Sequence, residues 1–249
     1  MASLFIDLNA DLGEDGPADA DLLDLVTSAS IACGFHAGSP ASMVATARAA
    51  ATRGVAIGAH PSYDDREGFG RRPVEADPDE LFAVVLYQVG AMAAAASAAG
   101  AALRYVKPHG ALYNRASVDP AVAEPVVRAV AEAGIPLLCP PMSRLEEVAR
   151  DRGVVTYSEA FADRAYAADG SLVPRSDAGA VIDDPEEIAA RAVGLATRGR
   201  VMAIDGTEID VPADSICVHG DSPKAPDIAR AVRTRLAAVG VEVRAFVPA

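Results

Sequence analysis

Tryptophan is absent from this sequence, aromatic residues make up only 5% of it, and histidines number four. A core built without large rings must be made of small aliphatic side chains in closely packed helices, and half of the 249 residues are apolar and rich in alanine. Cysteine is also scarce. Cys33, Cys139 and Cys217 are odd in number, lie in apolar strand-like runs and show no CxxC spacing, which excludes a disulfide framework and predicts reduced, buried thiols. Positive charge is in deficit: 22 Lys and Arg face 35 Asp and Glu, for a net charge of -13. Such a surface excludes a nucleic-acid partner, since phosphate backbones need a basic face, and it disfavours membrane surfaces for the same reason. No basic-then-apolar leader opens the chain and no run of about 18 apolar residues occurs, so a cytoplasmic location is expected.

Several motifs are missing too. There is no GxGxxG after the first strand, no GxxxxGK[ST], no HExxH and no GxSxG. Dinucleotide and P-loop sites, a zincin centre and a serine-nucleophile elbow are therefore not indicated.

What is present is alternation. Short apolar runs bounded by turn signals are predicted as strands at 4–8, 30–35, 55–59, 104–107, 137–139, 154–160, 216–218 and 241–246. Longer amphipathic segments are predicted as helices at 19–28, 41–53, 78–99, 120–133, 143–152, 185–198 and 226–239. Ser39-Pro40 and Asp119-Pro120 read as helix starts, and Gly54, Gly100, Gly134 and Gly240 as stops. Seven or eight βα units without a linker predict one α/β domain over residues 1–249, an irregular (β/α) barrel, with a hairpin at 201–211 decorating it.

Each histidine follows a short apolar run: IACGFH (His36), VAIGAH (His60), RYVKPH (His109) and ICVHGD (His219). In parallel α/β folds the carboxyl ends of strands converge on one face, so the four are expected at one site. Asp7, Asn9 and Asp11 alternate along the first strand and must face the same way. Inward carboxylates repel unless they bind a cation, share a proton or neutralise bases such as Lys107 or Arg72; a solvated strand end is the alternative. Glu14 and Asp15 follow, with Asp15 read as surface.

The loop GAHPSYDDREGFGRRP (58–73) carries His60, Gly68, Gly70, Arg71 and Arg72, a pattern suited to phosphate or carboxylate. VKPHGALYN (106–114) offers Lys107 as an oxyanion donor and His109 as a general acid or base. Residues 159–175 add Glu159, Asp163, Arg164, Tyr166 and Arg175, and CVHGDSP (217–223) adds His219 and Asp221. For a divalent metal, Asp7 or Asp11 with His36 and His60 make a mixed N/O set.

Eight segments in order, DLNADLGE, IACGFHAG, GAHPSY, GFGRR, VKPHGALYN, EAFADRAY, DGSLVPR and CVHGD, together resemble the LamB/YcsF family across residues 5 to 221. Ser30 and Ser39 stand where the family motif usually reads Asn and often reads Asp. The resemblance implies a barrel similar to the glycoside hydrolase/deacetylase superfamily. It also implies a component of an ATP-dependent 5-oxoprolinase which, with two further subunits (B and C), opens 5-oxo-L-proline to L-glutamate. ATP, with Mg, is then expected as co-substrate. On this reading Asp7, Asp11, His36, His60 and His109 are the candidate catalytic residues. Asn9, Arg72, Lys107, Arg175 and His219 would bind substrate or phosphate, and Asp7, Asp11, His36 and His60 are the candidate metal ligands. The competing expectation is a stand-alone metal-dependent deacetylase or glycan hydrolase of the same superfamily.

Overall fold

The computed structural model describes residues 4–219 and 224–248, so Asp221 lies outside the described residues. Seven parallel strands close on themselves: β1 (Phe5–Leu12), β2 (Ser28–Ala32), β3 (Ala56–His60), β4 (Leu103–Val106), β5 (Leu137–Cys139), β6 (Thr156–Phe161) and β9 (Ser215–Val218), with β9 returning to β1. A two-residue strand, β10 (Glu242–Val243), extends the sheet beside the start of β1. The hairpin at Asp205-Gly206 is present as antiparallel β7 (Arg200–Met202) and β8 (Glu208–Asp210), off the barrel.

Helices cover the barrel: α1 (Asp19–Leu23), α2 (Pro40–Thr52), α3 (Pro78–Ala98), α4 (Gly110–Val118), α5 (Pro120–Ala133), α6 (Arg144–Asp151), α7 (Pro185–Arg198) and α8 (Ala225–Ala238). Asp77, Asp119 and Asp184 each accept a backbone N–H at a helix start where proline opens the first turn. Ser39 closes a capping box with Ser42, so its side chain serves the start of α2. Two boundaries differ from the sequence expectation. The predicted helix 19–28 stops at Leu23, because Ser28 already pairs with Asn9 in the sheet. The first strand runs four residues further, to Leu12, carried by pairing with β2.

Period two decides what each face of β1 does. Ile6, Leu8, Ala10 and Leu12 point outward into the helix layer, whose core includes Leu22, Ile31, Val85, Met92 and Leu236. An 18-residue window of the 21-residue α3 has a mean hydropathy of 1.8, enough in length and composition to cross a membrane. Leu81, Val85, Val89 and Met92 are buried along it, and its buried Gln88 bonds the backbone of Ser62. Inside the barrel the lower end is plugged by Tyr105, Leu138 and Val247, with Tyr157 and Phe246 packed against them. Above that plug the interior is mainly polar, with Phe161 and Cys217 packed beside it.

Candidate active site

The lowest polar layer belongs to Asp7, which is fully buried. Three hydroxyls donate to its carboxylate: Thr27 Oγ1 at 2.6 Å, Ser28 Oγ at 2.7 Å, and Ser215 Oγ. Burial nonetheless outweighs these bonds and pushes its pKa up to about 6. Beside it Ser30 and Tyr105 share a hydrogen bond of 3.2 Å.

One layer up, the Lys107 ammonium occupies the barrel axis. It contacts Asp11 Oδ1 at 2.7 Å, Glu159 Oε1 at 2.7 Å, Asn9 Oδ1 at 3.2 Å and Cys217 Sγ at 3.3 Å. Burial alone would neutralise this amine, but Asp11, Cys217 and Glu159 reverse the effect and raise its pKa. Glu159 is completed by Asn9 Nδ2 at 3.0 Å and the Tyr113 hydroxyl at 2.9 Å. A lysine between two buried carboxylates from distant parts of the chain is committed to neutralising them.

At the strand ends three histidines gather. His60 Nδ1 donates to the Lys107 carbonyl at 2.7 Å, and His109 Nε2 donates to the Phe69 carbonyl at 2.9 Å. Because a carbonyl only accepts, each ring carries its hydrogen on the outer nitrogen, and the inner nitrogens, His60 Nε2 and His109 Nδ1, confront each other 2.9 Å apart. Two opposed lone pairs at that distance require a shared proton or a cation. His36 stacks flat on His109, with centroids 3.8 Å apart, and its Nε2 meets Glu14 Oε1 at 2.9 Å. The same Glu14 oxygen is 3.4 Å from His109 Nδ1 and 3.9 Å from His60 Nε2, while Asp11 Oδ2 is 3.4 Å from His60 Nε2. Burial lowers the pKa of His36, to about 3, and that of His109. For His60 the charge of Asp11 overcomes burial and raises it. Burial and the neighbouring Asp11 raise Glu14.

Glu14, His36, His60 and His109 offer ligand atoms that all lie within 4.8 Å of one another. Three imidazoles and a carboxylate suit zinc or manganese, and outer nitrogens tied to backbone carbonyls are the usual support for metal-binding histidines. The residues fit a divalent cation.

These groups floor one side of a cavity of about 690 Å3. Beside Asp11 stands His219, with Asp11, Cys217 and His219 offering ligand atoms within 4.8 Å of one another; its Nδ1 is 2.7 Å from Asp163 Oδ2, and the Phe161 ring stacks on it at 5.4 Å. Burial would raise the Asp163 pKa, but His219 holds it low. Arg71, Arg164 and Arg175 line the same cavity.

Residues 6–249 match the LamB/YcsF family. The chain belongs to that family. It is 51% identical over 247 residues to a protein of Symbiobacterium thermophilum named as the A component of 5-oxoprolinase, covering 96% of this chain and 95% of that one. The solved structure of a lactam utilization protein from Thermus thermophilus superposes with a TM-score of 0.92 at 47% identity, covering 97% of this chain and all of that one. A family 4 carbohydrate esterase from Streptomyces lividans shares the barrel alone, with a TM-score of 0.55 at 10% identity over 96% and 91% of the two chains.

In this LamB/YcsF barrel Asp11, His60, Lys107, His109, Arg175 and His219 reach the cavity. His36 lies directly behind His109, and Asn9 sits beneath as a bonding partner of Lys107. Two expectations are corrected. Asp7 is neither at the cavity nor near the histidines: four residues of strand place it about 13 Å below Asp11, at about 3.3 Å per residue. Arg72 turns outward, its Nε bonded to Asp65 Oδ1 at 2.8 Å, and the adjacent Arg71 faces the cavity instead. Glu14, Glu159, Asp163, Arg164 and Tyr113 join the site although sequence reasoning gave them no catalytic or binding role. The signal for Glu14 was its place just past the strand end, where Gly13, at a φ of +72°, turns the chain back over the barrel mouth.

Proposed function

We propose that this cavity is where a 5-oxoprolinase opens the lactam of 5-oxo-L-proline, the chain acting within a complex whose other subunits handle ATP. The observation that carries the reading is the convergence on one cavity of a carboxylate and imidazole cluster around Asp11, Glu14, His60 and His109 with a carboxylate-backed imidazole, His219, which offers a ring nitrogen within 4.8 Å of the Asp11 carboxylate. The names of the family relatives support it.

A five-membered lactam resists hydrolysis because its amide is resonance-stabilised. Transfer of the ATP γ-phosphoryl group to the carbonyl oxygen makes that oxygen a leaving group. Water then adds to the carbon and the ring C–N bond breaks with protonation of nitrogen, leaving γ-glutamyl phosphate, which a second water hydrolyses to glutamate and phosphate. Water must lose a proton and nitrogen must gain one, so a base and an acid must both reach the reacting centre.

The Glu14 carboxylate takes up the water proton, its raised pKa moving it toward the range of an effective base. Asp11, which burial would raise but His60 and Lys107 hold well below the usual carboxylate range, stays ionised and orients His60. His219 delivers a proton from Nε2 when its ring is the imidazolium, whose Nδ1–H is held by the Asp163 carboxylate. Lys107 holds Asp11 and Glu159 in place and keeps the floor near neutrality. A divalent cation on Glu14, His36, His60 and His109 would supply Lewis acidity and a lowered water pKa. The sequence has no P-loop, which supports placing at least part of the nucleotide handling on the partner subunits.

The test is glutamate release from 5-oxo-L-proline, with and without ATP, by this chain alone and mixed with candidate partner subunits. Release is expected only in the mixture with ATP, and Glu14→Gln or His219→Gln should lower it at least 100-fold, the order expected for losing an acid or base. Release by neither preparation with folded partners, or near-normal rates in both variants, overturns the proposal.

A further inference from the structure

Arg164 is a buried guanidinium, 6% exposed, on the wall of the cavity. Its Nε donates to the Ala180 carbonyl at 3.3 Å and one terminal nitrogen, Nη2, donates to the Val173 carbonyl at 2.7 Å. Those bonds fix the plane of the fork. Among the described residues no carboxylate lies within 4.0 Å of it. The carboxylates that share its cavity or neighbour it in sequence are engaged elsewhere: Asp11 and Glu159 by Lys107, Glu14 by His36, Asp163 by His219, Asp169 by Ser171, Asp210 by Arg200. A charge taken out of water without a counterion is costly, and carbonyl dipoles offset only part of that cost.

Nor is the position an accident of a loose loop. Ala165 and Val173 are bonded across the segment, Arg164 pairs with Val181 in an isolated bridge, and the Arg191 side chain clamps the Arg164 carbonyl at 2.7 Å. Two further guanidiniums, Arg71 and Arg175, line the same cavity, with Arg71 resting over the Phe69 ring. Burial, followed by the charges of Arg175 and Arg71, depresses the Arg164 pKa against the opposing pull of Asp163, so the three cations lie close enough to repel. Three converging cations, one of them buried without a carboxylate in contact, form a wall that an anion completes.

We propose that Arg164, flanked by Arg71 and Arg175, is an oxyanion-binding subsite that receives an anionic group of the ligand, either a phosphoryl group or a carboxylate. A guanidinium fork is shaped for the paired oxygens of both. The inference deepens the lactam reading by assigning the anionic end of the substrate, and the subsite itself stands without the lactam.

Calorimetric titration of the intact protein with inorganic phosphate, with 5-oxo-L-proline and with unsubstituted pyrrolidinone separates the cases. Arg164→Gln should weaken binding of at least one anion about tenfold or more, the loss expected for a charge-assisted pair, and leave pyrrolidinone unchanged. Loss confined to phosphate assigns the phosphoryl group; loss confined to 5-oxo-L-proline assigns its carboxylate. Wild-type protein that binds phosphate through Arg164 but no lactam keeps the subsite and removes the lactam reading. If Arg164→Gln fails to melt cooperatively, Arg164→Lys, which keeps charge but loses the fork, and the exposed Arg71→Gln are read instead, each with a several-fold loss expected. Folded variants that bind both anions within twofold of wild type, or a wild type that binds neither, overturn the subsite.

Discussion

Asp7 titrates at about 6 in the folded chain, against 3.8 for a free side chain. Between those two pH values the folded state holds more proton than the unfolded state, so stability falls as pH rises through the window and stays at the lower level above it. At about 1.4 kcal/mol per pH unit the span amounts to about 3 kcal/mol. Asp7→Asn removes this slope. The three hydroxyls around it must reorient toward an amide, but that contribution does not vary with pH. Urea midpoints of wild type and variant should therefore diverge between about pH 4 and pH 7, the variant gaining up to about 3 kcal/mol relative to wild type. Glu14 and His36 titrate equally in both proteins and cancel. Parallel curves would show that the carboxyl is not held neutral by its burial.

The nine-residue helix α4 is the element on which the histidine cluster depends. His109 is its N-cap residue, and Gly110 opens it at a φ of +54° with no room for a side chain: a Cβ there would press on the Gly70 carbonyl oxygen. That carbonyl accepts from Ala111 N at 2.9 Å, tying the helix to the loop whose Phe69 carbonyl orients His109. Gly110→Ala should therefore cost more than the strain of a left-handed residue alone. Gly134, also left-handed but facing open space at the end of α5, supplies the control. Gly134→Ala is expected to cost about 1 kcal/mol, and Gly110→Ala about 3 kcal/mol or more with loss of turnover. A chain of this size should then melt lower by about 3 °C and about 9 °C respectively. Equal shifts would remove the steric argument.

The same element marks the limit of sequence reading. GALYNRASV begins with glycine just after proline and histidine and carries no apolar stripe, so nothing local announces a helix; its burial against α5 and α6 makes one. Strands and their faces were legible because period two is a local property, and Asp7, Asn9 and Asp11 do share the interior. Their depth was not legible, since it depends on how far β1 runs beside β2. The convergence of histidines followed from strand ends. The pairing of Lys107 with Asp11 and Glu159, and the choice of Arg71 over Arg72, arise only when distant segments meet.

At the scale of the molecule the barrel interior is a graded column: an apolar plug below, a dry ionic middle, and a cavity above. The order matters, because the elevated pKa of Asp7 exists only while water is kept from the lower end. Phe246 contributes to that exclusion, its ring 5.1 Å from Tyr105 and 4.7 Å from Tyr157. Tyr105 in turn reaches Ser30, which neighbours the Asp7 layer. Phe246→Ala should have two separable effects. Lost packing costs about 3 kcal/mol at every pH. Water admitted to the base of the column returns the Asp7 carboxyl toward its ordinary range, so the fall in stability between about pH 4 and pH 6 becomes shallower. The double variant Asp7→Asn/Phe246→Ala then has no slope left to lose, and its pH profile should match that of Asp7→Asn alone. A Phe246→Ala protein that is less stable yet keeps the full wild-type slope would mean that the middle layer stays dry without the plug, and that the hydroxyls and outer helices alone confine Asp7.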